Sequence, residues 1–306
     1  MRREKVMKRF RSKIVLLLLL CSSALMGQTV HSFYLSGEAG ESSLLTKLEK
    51  SSSSAGVGAL IGGGYELQSG HFLLNIGVGI GGSWSRFSFE DMSETLHDVV
   101  DDEGDKFDYI FTQNDRRDSY TNLFLQVPFM MGGTWGGFYF LGGMKLNLSM
   151  KAWSRVRTTI TAAGDYPQFI DPFVDMPEHT FFSDGKFNVR NDTDFKLDPV
   201  VSLELGYRFG EYTEGHSGWD VPKNDIRYRI GLFADFGLLD IHKGGNLEFV
   251  TFPSEKDFSR DMKSDLQVND ILSTNKAGNA VRSLLVGVKF TVLFKLPEKK
   301  GCVLCR

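Results

Sequence analysis

The side chains best able to do chemistry in this chain are its six histidines, its three cysteines and one dense run of carboxylates. A hydrolytic or lipid-modifying site needs a histidine within hydrogen-bond reach of a nucleophile or an aspartate, held there by rigid neighbours. No histidine falls inside a segment with strand patterning. His31 precedes the first such segment, His71 and His216 lie in connections at one end, and His97, His179 and His242 lie in connections at the other. His97 or His179 could meet a nearby aspartate, but such neighbours arise by chance in polar loops, and the chain is expected not to be an enzyme. The segment 90–118 carries Glu90, Asp91, Glu94, Asp98, Asp101, Asp102, Glu103, Asp105 and Asp108. Clustered carboxylates hold Ca²⁺ when their spacing suits it, but Asp101 to Asp105 lacks the glutamate an EF-hand loop requires. A solvated, mobile loop is expected there, with no metal. Cys302 and Cys305 stand near the C-terminus with two residues between them and no histidine beside them. Zinc needs four ligands, and a redox C-x-x-C opens a helix in a βαβ unit that this sequence does not offer. An exposed tail, with a local disulfide or none, is the expectation. No cofactor is expected, and a net charge of −3 gives no reason to invoke nucleic acid.

The elements around these residues point to export. Arg2, Arg3, Lys5, Lys8, Arg9, Arg11 and Lys13 form a basic stretch, residues 14–20 a short apolar one, and Ser22, Ser23, Ala24 and Gly27 supply small residues for cleavage. A signal peptide over 1–27 is expected, cut after Ala24 or Gly27. Cys21 follows Leu20 rather than a small residue, which argues against lipidation. The expected division is a signal peptide (1–27), a barrel (28–296) and a short periplasmic tail (297–306).

From residue 32 onward the apolar pattern has period 2, over lengths near the ~9–11 residues that cross a membrane at a tilt. The last segment places Leu284, Val286, Val288, Phe290, Val292, Phe294 and Leu296 on one face, and Ser283, Gly287, Lys289, Thr291 and Lys295 on the other. Seven further segments, near residues 33–39, 57–67, 72–84, 123–131, 138–151, 201–209 and 229–238, repeat the alternation. The fold class expected is all-β: an eight-stranded antiparallel up-and-down transmembrane β-barrel with long extracellular loops. Tight turns at 68–71 and 133–136 alternate with long links at 41–54, 90–118, 154–195 and 241–280, the asymmetry of outer-membrane barrels. The link 210–225 is long for a periplasmic turn. Segment 154–161, with Arg155 and Arg157 among β-branched residues, is expected to extend the fifth strand above the membrane. Segment 180–189 would pair with it around Ser183-Asp184-Gly185 as a crown, taking the strand count from eight to ten.

The two faces carry separate predictions. On the outside, Tyr65, Phe72, Trp84, Phe129, Trp135, Phe138, Trp153, Tyr207, Phe209 and Phe294 fall near a membrane edge, as interfacial rings do. On the inside, glycine relieves crowding in a lumen only wide enough for side chains. Glu38, Glu66, Lys145, Lys151, Glu204, Arg208, Arg229, Asp235 and Lys289 are expected to form an interior ion-pair network, because buried charges persist only when paired.

Three stretches carry a family resemblance: Asn122-Leu-Phe-Leu-Gln-Val-Pro-Phe-Met-Met-Gly132, Gly137-Phe-Tyr-Phe-Leu-Gly-Gly-Met-Lys145 and Ser202-Leu-Glu-Leu-Gly-Tyr-Arg-Phe209. They resemble the outer-membrane β-barrel domain of OmpA-like and PorT-like proteins, and the layout from Ser32 to Leu296 is similar. The resemblance implies a bacterial outer-membrane location, with outer-membrane lipid as the solvent partner. The sequence stops ten residues past its last patterned strand, so the wall-gripping domain of many OmpA-like proteins is not expected. The expected role is structural or surface-binding, with an unknown extracellular ligand or protein partner met by the outer loops. A small transport or secretion-linked barrel is the alternative.

Overall fold

The computed structural model describes residues 29–46, 51–100, 104–174, 176, 181–210, 212–214, 220–222, 225–245, 247–251, 267–274 and 280–297. Their strands are β1 (Thr29–Leu45), β2 (Ser51–Ser69), β3 (Phe72–Phe89), β4 (Met92–Val100), β5 (Lys106–Trp135), β6 (Phe138–Asp165), β7 (Phe182–Thr193), β8 (Asp198–Phe209), β9 (Tyr212–Glu214), β10 (Asp220–Pro222), β11 (Ile226–Gly237), β12 (Val250–Thr251), β13 (Gln267–Val268) and β14 (Arg282–Lys295). The expected signal peptide and both C-terminal cysteines lie outside the described residues.

Eight strands close a ring in the order β1-β2-β3-β5-β6-β8-β11-β14, every pair antiparallel. β14 returns to β1 with Phe294 opposite Phe33 and Lys289 opposite Glu38. Closure leaves the ring without an edge, so each of its strands finds a hydrogen-bonding neighbour on both sides. Period-2 patterning explains the rest. Along β11 each residue alternates between exposed and buried, so Ile230, Leu232 and Phe236 face out while Arg229, Phe233 and Asp235 face in. The same alternation leaves Phe33, Ile61, Val78, Phe140, Leu205 and Phe290 exposed around the wall. A soluble monomer rarely shows more than a few hundred Å² of continuous apolar surface. This wall is apolar all round, which fits lipid as its solvent. The chain is an eight-stranded antiparallel up-and-down transmembrane β-barrel.

One end of the barrel has tight hairpins. Gly136 and Gly137 both take positive φ (53° and 94°) between β5 and β6, the backbone a two-residue hairpin with this twist demands. Gly70, at φ 58°, turns the chain between β2 and β3. The link 210–225 at this end contains the short pair β9–β10, so it is partly a hairpin; His216 and Trp219 lie outside the described residues.

The opposite end departs from the sequence expectation. Segment 90–118 is not a solvated loop: β4 pairs with the first part of β5, Met92 opposite Gln113 and Val100 opposite Lys106. Residues 101–103 at its tip lie outside the described residues. β6 runs on to Asp165 and pairs with β7, Val156 opposite Val189. The crown pairing is therefore present, but Ser183 to Gly185 lie within β7 rather than in a turn. The sheet has ten strands, of which eight form the ring.

Beneath this projecting β4-β5-β6-β7 sheet lies a core of its own. Phe107, Tyr109, Phe111, Tyr120, Val156, Ile160 and Phe181 pack with Ile241, Phe249, Val250, Val268, Ile271 and Leu272 from the link before β14. Ring centroids stand 4.4 Å apart for Tyr109–Phe111 and 4.9 Å for Phe107–Tyr166. Aromatic pairs at such distances add to the area they bury. The crown is a small folded unit above the wall.

Candidate functional site

Three places gather polar or charged groups: the lumen, the floor of the crown, and the outer rim of the wall. In the lumen, Glu38 from β1 accepts from Lys145 of β6 (3.1 Å) and pairs with Lys289 of β14 (3.0 Å). Lys145 also reaches Asp235 of β11 at 2.8 Å, and Lys289 reaches Glu204 of β8 at 3.0 Å. The Tyr139 hydroxyl donates to Glu204 (2.7 Å), and the Ser202 hydroxyl to Asp235 (2.6 Å). Arg229 pairs with Glu66 of β2 and lies 5.1 Å over the Tyr139 ring. Arg227, which the sequence expectation omitted, donates to Ser32 at 2.5 Å. The contacts Glu38–Lys145, Lys145–Asp235, Lys289–Glu204, Arg229–Glu66 and Arg227–Ser32 join strands that are not neighbours in the wall, while Glu38–Lys289, Tyr139–Glu204 and Ser202–Asp235 tie adjacent ones. Gly231 makes the layer possible, since a Cβ there would overlap the Tyr139 hydroxyl.

The structure buries Glu38, Glu66, Lys145, Glu204, Arg208, Arg229, Asp235 and Lys289 inside. Lys151 is the exception and is exposed. The reason is a β-bulge: Leu123 faces Lys151 but Phe124 faces Ser149, so Met150 is an extra residue. One extra residue reverses which side every later side chain takes. Past the bulge, Ala152, Ser154 and Val156 point inward, and Lys151, Arg155 and Arg157 point out.

Above the ion pairs lies a chamber of about 40 Å³ with a mixed lining, in which Ser42, Asn122, Gln126 and Asp198 stand beside Phe124 and Leu285. That is room for little more than a water molecule or two. Its lid is the floor of the crown. A second bulge, on β5 near Asp115, turns Arg116 inward. Its guanidinium lies 4.7 Å over Phe249 and 5.7 Å over Phe89. It donates to both oxygens of Asp118 (3.0 and 2.8 Å), to Gln113 (2.8 Å) and to the Asn269 carbonyl (2.6 Å). Asp118 also accepts from the Ile271 amide at 2.8 Å, and Tyr120 donates to Asp270 at 2.8 Å. Segment 267–274 is thereby clamped to the inside of β5. Burial pushes the Asp118 carboxyl above its ordinary range, and Arg116 pulls it only part of the way back.

The aromatic residues expected at the membrane edges lie on the outer face. Phe138 packs edge-on to Tyr207 at 5.2 Å, and Tyr207 to Phe209 at 5.2 Å, near the hairpin end. Trp135 is the last residue of β5 and stacks on His71. Tyr65, Phe72, Phe129 and Phe294 belong to the same half of the wall. Trp84 and Trp153 both stand opposite Thr121, which sets them on one level near the crown. Phe72 and Trp84 are 12 positions apart on β3, a rise of about 30 Å for a tilted strand.

The histidines do not assemble a reaction centre among the described residues. His31 and His97 lie within strands, contrary to expectation. His31 meets Tyr65, and His242 meets the Leu272 carbonyl. His97 contacts Asp108 at 2.8 Å on the exposed β4–β5 hairpin. That bond and one from the Asp98 amide hold the Asp108 carboxyl below its usual range. His179 lies outside the described residues. The same is true of Asp101, Asp102 and Glu103 in the acidic run, and no group of three metal-ligating side chains converges among the described residues.

The site and fold together define a membrane barrel with a plugged lumen and a folded crown. No family model matches the sequence, and no curated protein matches it at a significant level. Among solved structures, the chain is similar in layout to Neisserial surface protein A (NspA), at 11% identity and a TM-score of 0.26, covering 86% of this chain and 97% of that one. It is similar also to the outer membrane protease OmpT from Escherichia coli, at 9% identity and a TM-score of 0.29, covering 88% and 96%.

Proposed function

We propose that this chain is a non-enzymatic barrel of the bacterial outer membrane whose working part is the crown, in a structural or surface-binding role. The observation that carries this reading is the closed lumen. The ion pairs of Glu38, Lys145, Glu204, Asp235 and Lys289 cross it, and the Arg116–Asp118 clamp holds segment 267–274 over it. Eight strands enclose only enough space for side chains, whereas water-filled porins use about twice as many. The folded core under β4–β7 gives the crown a defined surface, which suits recognition better than passage. The hairpin end faces the periplasm in this reading, and the crown faces outside. The resemblance to OmpA-like and PorT-like barrels is in keeping with it.

Transport or secretion-linked function is the competing reading, and conductance separates the two. The purified chain, inserted in a planar bilayer, should give no steady open level. A stable large conductance would overturn the proposal, and silencing of it on loss of segment 267–274 would identify a gated channel instead.

A further inference from the structure

The outer face of the crown carries an arrangement that neither the lumen nor the crown core uses. Two rungs of the sheet cross four strands there. The first runs Arg86–Ser119–Arg155–Arg190, and the second Ser88–Arg117–Arg157–Asn188, from β3 through β5 and β6 to β7. Arg155 therefore stands directly opposite Arg190, and Arg117 directly opposite Arg157. Like charges in facing positions destabilise a sheet. No ion pair among the described residues joins any of these five arginines to a carboxylate. Asp192 lies one rung lower, opposite Trp153, and the exposed Asp115 stands two positions from Arg117 on β5; neither is ion-paired to these arginines. The cations form an arc rather than a belt, since the same rungs reach β2 at Ser54 and Ser52.

Their height is as telling as their spacing. Arg86 and Arg155 lie two positions beyond Trp84 and Trp153, where the apolar wall ends. Arg86 sits 4.8 Å over the Trp84 ring, and Arg190 sits 4.6 Å over the Trp153 ring. Cation–π contact fixes each guanidinium at the interface. Facing arginines just above the hydrocarbon edge call for anions held at that edge, and a guanidinium binds phosphate through two parallel hydrogen bonds. The anions constrained to that height are the headgroups of the leaflet the crown faces.

We propose that this arc docks the phosphorylated headgroup of an outer-leaflet glycolipid, with phosphates seated between Arg155 and Arg190 and between Arg117 and Arg157. The site rests on the outward orientation given to the crown under the proposed function. Bound lipid would relieve the repulsion of the facing pairs and stiffen β5–β7 against the membrane.

The test uses the mature chain folded in detergent micelles, with diphosphorylated lipid A as the probe. Its dephosphorylated form and inorganic phosphate are the comparisons. Binding is followed by native mass spectrometry and by the shift in thermal unfolding. Wild type should prefer the diphosphorylated lipid by about tenfold or more, and free phosphate should not compete at equal concentration. The triple variant R155Q/R157Q/R190Q should lose that preference, while K106Q/K243Q, which alters two exposed crown lysines elsewhere, should keep it. Equal binding by the triple variant, equal binding of the dephosphorylated lipid, or displacement by free phosphate would each overturn the site. A heat-induced gel shift monitors the barrel in every sample. Its retention with unchanged lipid binding in the triple variant sinks the site alone; its absence in wild type sinks the barrel reading and the site together.

Discussion

At the residue scale, the lumen depends on lysines that serve two carboxylates each. Lys145 lies between Glu38 and Asp235, and Lys289 between Glu38 and Glu204. Removing one partner of a buried pair leaves an uncompensated charge and costs about 3–5 kcal/mol. Lys145→Met is expected to lower barrel stability by that order, measured as the urea midpoint of unfolding in lipid vesicles, and adding Asp235→Asn should restore part of it. A change of under about 1 kcal/mol would place the lysine in the lower range of surface pairs and contradict the network. In the crown, Asp118 binds its proton more tightly folded than unfolded, because burial raises its carboxyl. Its contribution is therefore full below the ordinary carboxylate pKa and declines as pH rises through the raised value. Arg116→Met removes the guanidinium that draws the carboxyl back down. The variant's crown should be cut faster by protease, with a gap to wild type that widens as pH rises through this window. A gap constant with pH would exclude Asp118 as its source.

At the element scale, two bulges decide what each long strand presents. The extra residue at Met150 exposes Lys151 while Lys145 stays buried. A water-soluble amine-acetylating reagent should modify Lys151 of the folded protein and spare Lys145 and Lys289; modification of all three at one rate would refute the register. This bulge also marks where the sequence stops being legible. Period-2 alternation was enough to find the eight ring strands, because lipid outside and a packed lumen inside enforce it residue by residue. A single extra residue has no signature of its own, since Ser149, Met150 and Lys151 all suit a strand, so a parity carried through it puts Lys151 on the wrong side. The β4–β5 hairpin was hidden differently. Phe107, Tyr109 and Phe111 alternate plainly, but they stand among carboxylates whose charge reads as a solvated loop. Ile241, Phe249, Val250, Ile271 and Leu272 show no period at all, because they enter the crown core from pieces too short to repeat, the two-residue β12 and a 3-10 turn at Ile271–Ser273 among them. Arg116 and Tyr120 could be placed only once segment 267–274, some 150 positions away, was seen to meet them.

At the scale of the whole molecule, two solvents organise one chain. Below the level of Trp84 and Trp153 the apolar side chains face out and most charges face in, Lys151 being an exception; above it, apolar rings turn inward beneath β4–β7 and charges turn out, apart from the buried Arg116–Asp118 pair. The change follows from the surroundings along a single sheet: β6 makes it at its bulge, whereas β3 keeps one inward parity from Asn75 to Phe87 and changes only the residue type it presents. The sealed lumen, the crown and the cationic arc all presuppose that the wall faces lipid. Single spin labels test this most directly, placed at Leu203, Leu205 and Leu232 on the outside and at Ser202 on the inside, with Cys302→Ser and Cys305→Ser as background. In vesicles the three outer labels should collide freely with dissolved oxygen and scarcely with a water-soluble nickel chelate, while the label at Ser202 should meet neither. Nickel contact at Leu203, Leu205 and Leu232, in protein that stays in the aqueous fraction without detergent, would contradict the membrane barrel.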